Sequence, residues 1–199
     1  MEIIRRYGFL GTIRLLSDLI RTKLLLSSAR LIRFPFEIRN KKYIKIGKGF
    51  TTGRYCRLEA HPKSNKQESC LIIGDRVQIN DSVHIVASEK VVIGNDVLIA
   101  SKVFISDLNH GSYGKDNIHH SPITLPVDRP LSSKPVIIEE RVWLGEFVCV
   151  LPGVTIGSGS IIGSMSVVTK SIPPNCIAVG SPAKVIKKFN FESNIWEII

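Results

Sequence analysis

An aliphatic side chain returns at every sixth position over much of this chain: Ile73, Ile79, Ile85; then Ile93, Ile99, Ile105; then Ile138, Leu144, Val150, Ile156, Ile162 and Val168. Four residues after most of these stands a second small or β-branched residue, in the series Val77, Val83, Val97, Val103, Val142, Val148, Val154, Ser160, Ser166. Helices repeat about every 3.6 residues and strands every two, so neither alone has a period of six. A short strand followed by a tight corner does, and three such units close one triangular turn of a parallel β-coil. Gly directly after the aliphatic, as in Ile73-Gly74, Ile93-Gly94, Leu144-Gly145, Ile156-Gly157 and Ile162-Gly163, marks the expected corner. Successive turns would stack about 4.8 Å apart through backbone hydrogen bonds, each burying its aliphatics against its neighbours.

Ile46, Thr52 and Leu58 begin a first turn, which a polar loop from His61 to Ser69 interrupts. The period breaks twice more. Ile85 to Ile93 is eight residues, which predicts a bulge at a corner, and Ile105 to Ile138 is thirty-three, which is one repeat plus twenty-seven residues, an excursion from about Ser106 to Lys134. Long loops in compact repeat domains are usually functional.

At 199 residues and 44% hydrophobic, the chain is long and apolar enough for one soluble domain, with no apolar run near the ~18 residues of a membrane span. Its net charge of +10 is not evenly spread. The first forty-five residues hold eleven Lys and Arg against three Asp and Glu, a net of +8. Such a one-ended charge suits an acidic partner: anionic lipid, a phosphorylated substrate or nucleic acid. Nothing matches a nucleic-acid module, so no nucleic-acid partner is expected.

From Phe9 to about Leu26 the apolar residues Phe9, Leu10, Ile13, Leu16, Leu19, Ile20 and Leu24 fall near helical period. That predicts an amphipathic helix whose apolar face packs on the main domain or, with its arginines, lies on a membrane surface. Charges interrupt the stretch and no cleavage site follows, so a secretory signal is not expected. Cys56, Cys70, Cys149 and Cys176 lack the spacing of a disulfide framework or zinc site and read as buried thiols of a reducing cytosol. The expected organisation is a basic helical segment at 1–43, the coil domain at 44–188 and a C-terminal tail at 189–199.

The string PVIIEERVWLGEFVCVLPGVTIGSGSIIGSMSVVTKSIPPNCIAVGSPAKVIKK resembles the closing coils of the hexapeptide-repeat acyltransferases, above all the maltose, galactoside and polysaccharide O-acetyltransferases, and the resemblance extends over about Ile44 to Lys188. It implies an all-β fold, a left-handed parallel β-helix, and a homotrimer with its active site shared across an interface. It also implies acetyl-CoA as cosubstrate. His110 of SDLNHGSYGKD matches the family's catalytic histidine, a base of near-neutral pKa that takes the proton of an attacking hydroxyl. Asp107, Asp116 or a backbone carbonyl are the candidates for orienting its ring.

By motif position Ser164, Thr169 and Lys170 match the groove for acetyl-CoA, Lys184 and Lys187 its nucleotide end, and Trp143 the tryptophan beside the thioester. Glu146 matches a place where a backbone N–H stabilises an oxyanion, or where its side chain bonds acceptor or orients His110. Asn80 and Ser82 stand where related sugar acetyltransferases carry an Asn-Phe-Asn that touches acceptor, and His84 is placed to reach a neighbouring subunit's cleft. The histidine spacing of the metal-dependent carbonic anhydrases of this fold is absent, so no metal is expected. The implied reaction is transfer of acetyl to a sugar hydroxyl of a surface-polysaccharide precursor in the cytoplasm. The alternatives are an amino-sugar or xenobiotic N-acetyltransferase and a catalytically silent scaffold.

Overall fold

A computed structural model describes residues 2–64, 68–114 and 118–199, the Ile3 side chain apart. Its short strands visit three parallel sheets in strict rotation. The first sheet stacks Phe36–Arg39, Cys56–Ala60, His84–Ala87, Phe104–Ser106, Cys149–Val150 and Val167–Val168. The second stacks Ile44–Ile46, Leu71–Ile73, Val91–Ile93, Val136–Ile138 and Thr155–Ile156; the third stacks Thr51–Thr52, Gln78–Ile79, Leu98–Ile99, Trp143–Leu144, Ile161–Ile162 and Cys176–Gly180. Registers align the sixth-position aliphatics in columns: Leu58, Ile85, Ile105, Val150 and Val168 on one side, Ile46, Ile73, Ile93, Ile138 and Ile156 on the next. Almost all are wholly buried, as are the Val and Ser residues four places on.

The corners differ from expectation. The residue at positive φ lies three places after the core aliphatic, at Arg76, Ser82, Asp96, Lys102, Arg141, Phe147 and Met165, with Gly in that place at Gly49, Gly153 and Gly159. A non-glycine residue in this region costs about 1 kcal/mol. Its N–H recovers a partner by donating to the coil before, as Arg76 does to the Lys48 carbonyl at 2.7 Å and Met165 to that of Glu146 at 2.8 Å. The glycines that follow the aliphatics serve stacking instead. A Cβ on Gly94 would stand 2.6 Å from the Glu140 backbone nitrogen.

Asp107 explains the eight-residue gap. Wholly buried, its carboxylate accepts the N–H groups of Ser88 (2.8 Å), Glu89 (2.8 Å) and Lys90 (2.7 Å) at the widened corner. The excursion leaves beside it as an antiparallel pair, Leu108–His110 against Leu131–Ser133. It closes where the Lys134 N–H donates to the Asp107 carbonyl at 2.8 Å.

The N-terminal helix, Glu2–Leu25, bends at Gly8, which has φ 69° and ψ 176°. Beyond the bend the helix does pack on the domain, but by the opposite face from the one its apolar pattern picks out. Asp18 and Thr22 are the buried residues. Asp18 pairs with Arg54 at 2.8 Å and accepts the Phe34 N–H, and Thr22 exchanges hydrogen bonds with the Ile32 backbone. Phe9, Leu10, Ile13, Leu16, Leu19, Ile20 and Leu24 all face outward. No helix among the described residues is long and apolar enough to cross a membrane. At the other end, Ala183–Asn190 folds back antiparallel on Cys176–Gly180, and Ile195–Ile198 pairs with it in turn. The strand runs through the expected boundary at 188, so residues 189–199 close a hairpin, with Phe189 edge-on to Phe191 and Trp196 at about 5 Å, rather than trailing as a tail.

Candidate active site

The excursion holds His110 by its backbone, and its ring bonds nothing among the described residues. His110 ends its strand opposite Leu131. Its carbonyl accepts the Tyr113 hydroxyl at 2.5 Å, and Arg129 donates to that hydroxyl at 2.8 Å while also bonding the Thr124 carbonyl. His120 braces the same loop, its Nδ1 accepting the Ser112 N–H at 2.9 Å. The exposed His110 ring has no hydrogen-bond partner among the described residues. Asp107 therefore does not orient it or face a substrate, since both its carboxyl oxygens are committed to the corner at 88–90. Asp116 lies outside the described residues. Tyr113 and Arg129 had no role in the sequence reading; only the nearness of Tyr113 to His110 hinted at one.

Beneath the arm of the excursion opens a cavity of about 400 Å³, lined by Asn109, Gly111, Tyr113, Lys134, Gly153 and Thr169 among others. The neighbours of His110 on either side thus line one cavity with Thr169, a residue expected to touch cosubstrate. Lys170, exposed, follows Thr169 along the same edge, where the first sheet turns into the second.

The other expected residues gather elsewhere. Asn80, Ser82, Glu146 and Ser164 belong to the stacked corners between the third and first sheets, where a side chain on Gly145 would meet the Ser164 nitrogen at 2.7 Å. Trp143, half exposed, stands on the outer face of the third sheet between Leu98 and Ile161. Lys184 and Lys187 lie on the hairpin that continues that sheet, Lys184 exposed and Lys187 partly covered. One chain therefore splits the expected site between two edges: His110, Thr169 and Lys170 on one, the acceptor residues, Glu146 and Ser164 on the other.

His84 is bound into a charge cluster on the first sheet. Glu59, 5% exposed, accepts from His84 Nε2 (3.0 Å), His61 Nε2 (3.0 Å), Arg57 (2.5 Å) and Arg39 (3.3 Å). Burial alone would raise the Glu59 pKa, but His61, Arg57 and Arg39 outweigh it and the net shift is downward. Burial, then the Arg57 charge, lowers that of His84. Arg57 also lies 3.3 Å from His84 Nδ1, so that nitrogen is the acceptor and Nε2 carries the proton. The spacing Arg57, Glu59, His61 was the available sequence signal, because alternate residues of a strand share a face. Beside the cluster a groove of about 370 Å³ runs along His84, Arg57, Tyr55 and Phe36. Burial pushes the nearby Cys56 thiol up to about 11.

A model of the bacterial transferase hexapeptide family (six repeats) matches residues 135–170. Over 197 residues the chain is 47% identical to WbbJ of Escherichia coli (strain K12), provisionally named a lipopolysaccharide biosynthesis O-acetyl transferase, covering 99% of this chain and 98% of that one. It is 41% identical over 118 residues to the galactoside O-acetyltransferase of the same strain, spanning 59% of this chain and 54% of the relative. A crystal structure of a single-residue mutant of AntD, an N-acyltransferase from Bacillus cereus, in complex with dTDP-4-amino-4,6-dideoxyglucose and coenzyme A, superposes with a TM-score of 0.68 over 87% of this chain and 91% of that one. At 22% identity, that likeness is one of fold.

Proposed function

The chain belongs to the bacterial hexapeptide-repeat transferases, and from that premise we propose that it transfers acetyl from acetyl-CoA to a sugar hydroxyl, with a surface-polysaccharide precursor as the acceptor. The observation that carries the reading is His110: an imidazole whose ring bonds nothing among the described residues, on the arm whose Asn109 and Gly111 line a cavity together with Thr169. His110 takes the hydroxyl proton as the acceptor oxygen attacks the thioester carbonyl, and returns it to the departing thiolate. The Glu146 N–H, which bonds no acceptor among the described residues, is available to the developing oxyanion.

Because the two groups of residues stand on different edges of one coil, the complete site is one that two copies build together. His110 of one copy faces Asn80, Ser82 and Glu146 of its neighbour, and a closed ring of three satisfies every such edge. The likeness to AntD supports a left-handed winding of the coil. Four unpaired cysteines and the cosubstrate support a cytoplasmic location.

Calorimetry with acetyl-CoA, followed by thioester turnover with a panel of sugars, tests the reading on wild type and His110→Ala. Both proteins should bind, while the variant loses about 10²–10⁴-fold in kcat. Equal turnover by both would remove His110 from the chemistry, and failure of both to bind would leave a silent scaffold.

A further inference from the structure

The outward stripe of the N-terminal helix is unusual in being fixed there. Phe9, Ile13, Leu16, Ile20 and Leu24 recur at helical spacing, with Leu10 beside them, and exposure reaches 79% at Leu10 and 84% at Leu24. At 1.5 Å per residue the stripe is about 23 Å long. The face opposite is pinned by the buried Asp18–Arg54 pair, by the Phe34 N–H on Asp18 and by Thr22 on Ile32. Turning the helix to hide the stripe would strip Asp18 of its partners inside the protein, which costs about 3–5 kcal/mol. The apolar face is thus presented, not left over.

Its borders say what it meets. At 100° per residue Arg14 and Arg21 line one edge of the stripe and Lys23 the other, with Arg5 and Arg6 just before the Gly8 bend. All five are exposed, and none forms an ion pair among the described residues. A second copy would bring the same charge, since the first forty-five residues carry +8 of the net +10. An apolar stripe between cationic rails matches acyl chains below anionic headgroups.

We propose that residues 9–24 lie in the surface of an anionic membrane, with Phe9, Leu10, Ile13, Leu16, Ile20 and Leu24 entering the acyl boundary and the flanking cations meeting lipid phosphates. The coil would then hang from the bilayer by the Asp18–Arg54 pair. This docking does not depend on the transfer reaction.

The test is flotation of the full-length protein with vesicles of phosphatidylglycerol and phosphatidylcholine in equal parts, and with phosphatidylcholine alone. Wild type should float with the anionic vesicles, far less with the neutral ones, and less as salt rises. The double variants Leu10→Ser/Ile20→Ser and Arg14→Glu/Arg21→Glu should each weaken binding at least about tenfold, with unchanged circular dichroism and thermal unfolding. Transfer to a water-soluble acceptor in vesicle-free solution should also persist in both, separating this outcome from any failure of the proposed reaction. Absence of wild-type flotation overturns the proposal, as does binding indifferent to the apolar pair. So does a wild type that floats poorly while the apolar pair reduces its oligomer by light scattering, which would assign the stripe to a second copy.

Discussion

Two histidines read as site residues have opposite settings. The His110 ring has no partner among the described residues; His84 is fastened at both nitrogens, between Glu59 and Arg57. The lowered His84 pKa has a sign that can be measured. The folded state resists a proton that the unfolded chain accepts below the ordinary value of about 6.5, so stability is present above that pH and drains away as pH falls toward the lowered folded pKa. Glu59, also lowered, acts the same way only below the ordinary glutamate value of about 4.3. Wild type should therefore melt at lower temperature at pH 5 than at pH 7, and His84→Gln should flatten the difference. An equal drop in the variant would place the acid sensitivity elsewhere. The sequence singled out His84 for its place in a repeat, yet its partner Glu59 lies a coil away, and no local pattern links two residues twenty-five positions apart.

At the scale of elements the repeat was readable because every coil imposes the same burial on the same position, which leaves a period that composition cannot mimic. The corner chemistry was not. Gly after the aliphatic looks like a turn residue in one dimension, whereas it makes room for the coil stacked on it, and the left-handed residue sits two places later. Asp107 was misread for a similar reason: it neighbours a catalytic candidate in sequence but answers to a corner nineteen residues back. Asp107→Ala removes the acceptor of three N–H groups, that of Ser88 buried, and should cost about 1–3 kcal/mol in thermal or urea unfolding. Asp107→Asn, retaining one acceptor oxygen, should lose clearly less. Near-neutral values for both would show that the widened corner stands without this carboxylate. The helix shows the reverse failure: its period was plain, but burial followed Asp18 and Thr22, whose partners Arg54 and Ile32 are invisible to a helical pattern.

For the whole molecule, the division of the site between two edges makes a quantitative demand. Co-expression of His110→Ala with Asn80→Ala chains, each inactive alone, should restore about a quarter of wild-type activity if each site draws these residues from two different copies, since both are intact in one combination of four. No restoration in mixed oligomers would put His110 and Asn80 in the same chain's site. Sequence resemblance could list the residues of such a site without showing that one chain keeps them apart, because motifs carry no information about which corner of the prism they occupy.

The bond from the Lys134 N–H to the Asp107 carbonyl spans only 2.8 Å, so the excursion begins and ends at nearly one point. Seen from the prism, the loop has no width. The rungs below and above it are built as though it were not there, and chain of another length or character can replace it without shifting a single core aliphatic. A fold of this kind can exchange the hand while keeping the wrist, and if the proposed chemistry holds, His110 beside that junction is the part every such exchange has to preserve.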